Sequence, residues 1–215
     1  MHWVYYFGRG LIYFLLMPFG WIWVRGRENV PKRGPVLVVC NHLHAGDPPL
    51  VATKIPLKCV LMAKEELFQH PWSRFWVKNF GAFPVRRGGL NRQTMDEAES
   101  WLKKGISLIM FPEGHRSPDA TMQPALPGAA VLAARLGVPI LPCAITGTER
   151  LNSLRRCLVH RTRVLLTIGK PFLPKVTGAR LTKEQRGDLT RDIMGHIAAL
   201  LPSSYRGVYA GDADA

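Results

Sequence analysis

Six short apolar runs, none longer than six residues, punctuate the chain from Pro35 onward: 35–40, 59–62, 82–85, 107–111, 140–145 and 164–168. They are continuous rather than alternating, the pattern of strands covered on both faces. Helix-like stretches lie between and after them, over 47–52, 72–79, 91–104, 128–136 and 182–200. Such an order predicts an α/β chain with a largely parallel central sheet flanked by helices. At 215 residues there is room for one domain of ordinary size, here placed over 25–206. With 47% hydrophobic and 20% charged residues, global disorder is excluded. No internal repeat, low-complexity tract or Gly/Ser-rich linker divides the domain, and residues 207–215 read as a flexible tail.

The first 24 residues differ in kind. They hold nine of the 20 aromatic residues and a single formal charge, Arg9. The uninterrupted apolar part, Leu11 to Val24, is 14 residues broken by Pro18 and Gly20. A bilayer span needs about 20 apolar residues. A secretory signal would need a basic start and a small-residue cleavage site, and neither is present. Trp and Tyr favour the headgroup level, so residues 1–24 read as a helical, monotopic membrane-seating segment. A helix packed on the protein's own core is the alternative.

Lys and Arg number 29 against 15 Asp and Glu, a net charge of +14. That excess points to anionic partners: a membrane surface, nucleic acid or acidic soluble substrates. The segment from Arg150 to Arg191 alone carries 11 basic and two acidic residues. It is either a docking face for anionic lipid, acyl carrier protein or coenzyme A, or a solvated surface. The aromatics do not interleave with the basic stretch, which argues against nucleic acid. Cys40, Cys59, Cys143 and Cys157 are scattered without a C-x-x-C pair, as expected in a reducing compartment.

Three strand ends carry polar groups. The run ending at Cys40 is followed by Asn41-His42-Leu43-His44-Ala45-Gly46-Asp47-Pro48, in which Asp47 and Pro48 can open a helix. An Asp five residues after His42, across that turn, can reach the imidazole and orient it as a general base. Alternatively Asp47 only caps its helix and His42 lies on the surface. A metal reading of His42-x-His44 lacks a third well-placed ligand, so no metal is expected. Cys40 completes an apolar run and reads as core, and no G-x-S-x-G elbow is present. The second strand end is Gly81-Ala82-Phe83-Pro84-Val85-Arg86-Arg87, an anion clamp or a solvated arginine pair. The third, Phe111-Pro112-Glu113-Gly114-His115-Arg116-Ser117, presents a carboxylate and a guanidinium, as a site or as a structural ion pair. Trp72, Phe75, Trp76 and Phe80 recur at helical spacing and read as core, with an acyl groove or lipid contact as the alternative.

Taken together, Asn41-His42-x4-Asp47, Gly81-x5-Arg87, Phe111-Pro112-Glu113-Gly114-x-Arg116-Ser117 and Val138-Pro139-Ile140-Leu141-Pro142 appear in one order over Pro31 to Pro174. In this the chain resembles the glycerolipid acyltransferases, whose best-known members are 1-acyl-glycerol-3-phosphate acyltransferases. The resemblance implies that His42 is the general base and Asp47 its orienting carboxylate. It implies that Arg87 and Arg116 grip the acceptor's phosphate beside Glu113 and Gly114, and that Pro142 shapes the site. His44 and His115 stand where many members have Ser and Thr, which bears on acceptor choice.

The expected activity is transfer of a fatty acyl group from a thioester, of coenzyme A or acyl carrier protein, to a lysophospholipid without a resident cofactor. The expected acceptor is 1-acyl-sn-glycerol 3-phosphate, and the expected place the cytoplasmic face of a membrane. Alternatives are another lipid acceptor, such as an aminolipid, or a non-enzymatic basic protein binding membrane or nucleic acid.

Overall fold

The computed structural model describes residues 10, 20–79, 81–85, 91–152, 162–178 and 180–212. Seven strands form one sheet: β1 (Gly20–Arg25), β2 (Leu37–Cys40), β3 (Cys59–Lys64), β4 (Ala82–Val85), β5 (Ser107–Met110), β6 (Ile140–Thr146) and β7 (Thr162–Ile168). Their spatial order is β1-β7-β6-β2-β5-β3-β4. β2 to β6 all run parallel, and the β6–β7 pairing is antiparallel, so β7 and its parallel neighbour β1 point the other way. The helices are α1 (Asp47–Lys54), α2 (Pro71–Asn79), α3 (Arg92–Lys103), α4 (Gly128–Leu136) and α5 (Lys183–Ala198).

Successive residues of β2 show why its apolar run is unbroken. Leu37 and Val39 face one layer, packed with Ala98 and Leu102 of α3, Leu132 of α4 and Ile193 of α5. Val38 and Cys40 face the opposite layer with Leu50 and Val51 of α1. Side chains alternate across a strand, so a strand covered on both sides must be apolar at every position. β2 is such a strand, at the middle of the sheet. Its C-terminal end opens between β5 and β6, the position at which α/β sheets place ligands.

Two sequence assignments change. Residues 20–24, read with the membrane-seating helix, belong to β1, which pairs with β7 in register from Gly20↔Thr162 to Arg25↔Thr167. Ile22 and Val24 pack inward while Trp23 between them is exposed, the period-2 alternation of an edge strand. Residues 1–9 and 11–19 lie outside the described residues, and among those described no helix is long and apolar enough to cross a membrane. Residues 207–212, expected to lie in a flexible tail, carry 3-10 structure instead. Residues 203–205 and 207–212 form two 3-10 turns packed beside α5 and the loop after β5.

Candidate active site

β2 and β5 are hydrogen-bonded neighbours that end on the same edge, so the loops after Cys40 and Met110 meet. The first is pinned by Asn41, whose buried amide donates to the Ile145 carbonyl at 3.0 Å and accepts the Ile145 N–H at 2.8 Å. One side chain thereby continues the β2–β6 ladder by a step and frees the main chain to turn. The Ser117 N–H donates to the His42 carbonyl at 2.7 Å, and the His42 N–H donates to Glu113 Oε1 at 3.1 Å. The two loops are clasped at His42 from both sides of its peptide.

The His42 ring is fixed in turn. Its Nδ1 lies 3.0 Å from Asp47 Oδ2, and Phe111 packs on it with centroids 4.4 Å apart. His42 keeps 16% of its side chain accessible and Asp47 none. The same Oδ2 accepts the N–H groups of Leu43 and His44, each at 2.7 Å. An oxygen that already accepts two main-chain N–H groups meets Nδ1 as an acceptor too, so Nδ1 carries the proton and Nε2 is the basic nitrogen. Gly46 is the N-cap of α1 and Asp47 its first residue. The carboxylate turns back into the 42–44 loop, onto the His42 ring and two main-chain N–H groups, and does not cap the helix it opens. Oδ1 of Asp47 is buried without a hydrogen-bond partner among the described residues.

Glu113 serves this loop rather than solvent. It is 1% exposed, and its second oxygen, Oε2, accepts the Gln123 N–H at 3.0 Å. Burial pushes its carboxyl up to about 7 despite those two bonds. The resemblance placed Glu113 beside the substrate phosphate; the structure makes it a buried brace between His42 and Gln123. Gly114 ends the turn with its N–H on the Phe111 carbonyl and has φ +74°, where an added Cβ would meet Leu126 at 2.8 Å. Arg116 is exposed two residues beyond. His44 is oriented by the Gly46 N–H on its Nδ1, and burial holds its pKa below the ordinary value.

Arg86 and Arg87 lie outside the described residues, as do Phe80 and Cys157. The strand before the arginines, β4, is parallel to β3 and β5 and ends on the same edge as His42. Pro142 is buried within β6, opposite Val39 of β2. Cys40 is buried below the loop, and burial, then the neighbouring Cys143, pushes its thiol far up, which removes it as a nucleophile. Trp72 and Phe75 are not core: they are 76% and 53% exposed on α2. Gln123 is the site residue that sequence reasoning missed, since its role is a main-chain bond.

A strand-end histidine hydrogen-bonded to a buried aspartate, beside a loop carrying an arginine, is the geometry that general-base chemistry requires of a layered α/β protein. The chain belongs to the acyltransferase family, whose sequence profile matches residues 22–146. A 1-acyl-sn-glycerol-3-phosphate acyltransferase of Saccharomyces cerevisiae is 28% identical over 188 residues, 83% of this chain and 59% of the yeast protein. The Bacillus subtilis protein of the same name is 29% identical over 168 residues, 78% of this chain and 81% of its own length. Among solved structures, the 1-acyl-sn-glycerophosphate (LPA) acyltransferase PlsC of Thermotoga maritima superposes with a TM-score of 0.66 at 30% identity. That match covers 88% of this chain and 75% of the other.

Proposed function

We propose that this chain transfers a fatty acyl group from an acyl thioester to 1-acyl-sn-glycerol 3-phosphate, giving phosphatidic acid. The observation that carries the reading is the His42–Asp47 pair, 3.0 Å apart at the sheet edge of an acyltransferase domain. In this mechanism His42 Nε2 takes the proton of the acceptor hydroxyl as its oxygen attacks the thioester carbonyl. Asp47 stabilises the imidazolium so formed. The tetrahedral intermediate collapses with loss of the thiolate, which recovers the proton from His42. No enzyme nucleophile or resident cofactor enters, and the donor is coenzyme A or acyl carrier protein as the thioester.

Arg116 supports recognition of the acceptor phosphate, being exposed on the loop clasped to His42. Arg87, which follows β4, is its expected partner. Work at the cytoplasmic face of a membrane, on an anionic surface, is supported by the +14 net charge and by apolar side chains beyond β3. β3 ends on the His42 edge, and the segment after it exposes Leu67, Trp72 and Phe75.

The deciding experiment incubates the purified full chain with a panel of lysolipids and both thioester donors and analyses the lipid products by mass spectrometry. Phosphatidic acid formed from 1-acyl-sn-glycerol 3-phosphate is the expected product. Acylation confined to another headgroup overturns the acceptor assignment, and transfer to no lysolipid overturns the activity.

A further inference from the structure

The loop from Ser117 to Leu126 carries no helix or strand, yet it supplies the Gln123 N–H that holds Glu113. From outside it is knotted by Asp119, whose Oδ1 accepts from Ser117 Oγ, the Thr121 N–H and hydroxyl, and Gln123 Nε2. Those bonds are exposed, and water competes with them. Besides the Leu126 N–H on the Pro112 carbonyl at 2.8 Å, its support comes from residues 205–209. Met122, 1% exposed, has both main-chain groups engaged there: its N–H donates to the Tyr205 carbonyl at 2.8 Å, and its carbonyl accepts the Val208 N–H at 3.4 Å. The Ala125 N–H donates to the Tyr209 hydroxyl oxygen at 3.0 Å. Gln123 lies between these two attachments.

We propose that the C-terminal turns over 203–212 are a positioning element for the catalytic base, acting through Met122 and Ala125 on Gln123, then on Glu113, and so on the main chain of His42. This rests on the reading of His42 as the base. Each link is a hydrogen bond: Tyr205 and Tyr209 to the loop, Gln123 to Glu113 Oε2, and Glu113 Oε1 to the His42 N–H. Tyr205 anchors the element, donating its hydroxyl to Glu149 Oε1 at 2.9 Å beyond β6. Gly207 makes the close approach feasible. Its φ is +50°, and a Cβ there would fall 2.2 Å from the Met122 carbonyl oxygen. Any side chain at 207 must push the turn off the loop. The Tyr209 hydroxyl is held largely protonated by burial, so it stays a neutral acceptor for Ala125.

The test uses the full-length chain with Tyr209→Phe and, separately, Gly207→Ala. Amide hydrogen exchange is read at Ala125, Gln123 and His42, with Leu108 in β5 as the internal reference. Tyr209→Phe is expected to speed exchange at Ala125 and Gln123 about tenfold, the worth of one internal hydrogen bond, and Gly207→Ala to extend this to His42. Leu108 is expected to stay protected, because global destabilisation would loosen every amide together. With lysolipid and thioester, kcat is expected to fall about tenfold in Gly207→Ala while the thioester KM stays within about twofold, as for a group acting on the transition state. Unchanged exchange at Gln123 and His42 in both variants overturns the proposal, as does loss of Leu108 protection in step with them. Should Gly207→Ala fail to fold, Tyr209→Phe alone decides through Gln123. A wild-type chain that acylates nothing overturns the proposed function instead, and the exchange result still decides the positioning role.

Discussion

The main-chain N–H of His42 donates to Glu113 Oε1 at 3.1 Å, so this histidine is held by its peptide as well as by its ring. The ring and the peptide answer to different carboxylates: Asp47 takes Nδ1, and Glu113 takes the backbone. Chemistry and placement at this residue are therefore separable by mutation.

His42→Ala removes the ring and leaves the peptide bonds to Glu113 and Ser117 in place. Turnover is expected to fall by roughly 10²–10⁴, the usual worth of general-base catalysis. The far-ultraviolet circular dichroism spectrum and the melting temperature are expected to change little. Initial rates with a saturating thioester check the first, and a wild-type rate would exclude His42 as the base.

Asp47→Asn and Asp47→Ala should differ. In the asparagine variant the backbone N–H groups of Leu43 and His44 select the amide oxygen for the Oδ2 position, which puts its NH₂ where Oδ1 now lacks a partner. The His42 tautomer survives and only the negative charge is lost, so the rate loss should sit near the low end of roughly 10²–10⁴. Asp47→Ala also strands the buried Leu43 N–H, at about 1–3 kcal/mol, and the part-buried His44 N–H, and should melt well below the asparagine variant. Calorimetry beside steady-state rates separates the two; equal melting temperatures would count against the three-donor arrangement.

Glu113 gives a pH signature. Its folded pKa, near 7, lies above the ordinary glutamate value of 4.5, so folding favours the protonated form. Its contribution to stability is greatest below pH 4.5 and is lost as pH rises through 7. Glu113→Gln cannot titrate. The wild type's stability advantage over this variant should therefore be larger at pH 5 than at pH 8, as measured by urea unfolding at both. A gap that widens with pH would contradict the raised pKa.

Much of this was legible beforehand, and the misses share a cause. All six apolar runs are strands; those of β2, β5 and β6 are buried on both faces, whereas β4 at the sheet edge exposes Pro84. β1 escaped because Gly20–Arg25 was absorbed into a longer apolar stretch, although Ile22, Trp23 and Val24 carry the alternation of an edge strand. The His42–Asp47 contact follows from their spacing across the turn, whereas Arg116 is singled out only by the family resemblance. That Asp47 faces its loop rather than capping α1, and that Glu113 is a brace, depends on the direction of backbone N–H groups, which no residue type announces. Gln123 and Tyr209 were invisible for the same reason: each acts by a bond to a distant part of the chain.

For phosphate recognition, Arg116→Ala is expected to raise the acceptor KM by roughly 10–150-fold, as loss of a charged hydrogen bond of about 1.5–3 kcal/mol would, and to spare the thioester KM. Arg87→Ala should act likewise and Arg86→Ala less. Steady-state kinetics varying each substrate in turn distinguishes them, and equal damage to both substrates would refute the placement.

Membrane seating is tested by a deletion that spares β1. Removing residues 1–24 would strip β1 from the sheet, so the informative truncation removes 2–19. It is expected to release the protein from phosphatidylglycerol vesicles while preserving activity on a short-chain soluble acceptor. The intact chain should resist release by high salt in the same flotation assay. Clean release by salt would leave electrostatics as the sole attachment.

The reversed direction of β1 and β7 decides where that segment is tethered. Because β7 is antiparallel to β6 and β1 follows β7, the chain enters the sheet at Gly20 on the edge where β2 and β5 end. A parallel β1 would have moved this point of entry to the opposite rim, about 20 Å away at the rise of a six-residue strand. Strand polarity thus works as a compass: the point where the chain enters the sheet and the histidine share one rim.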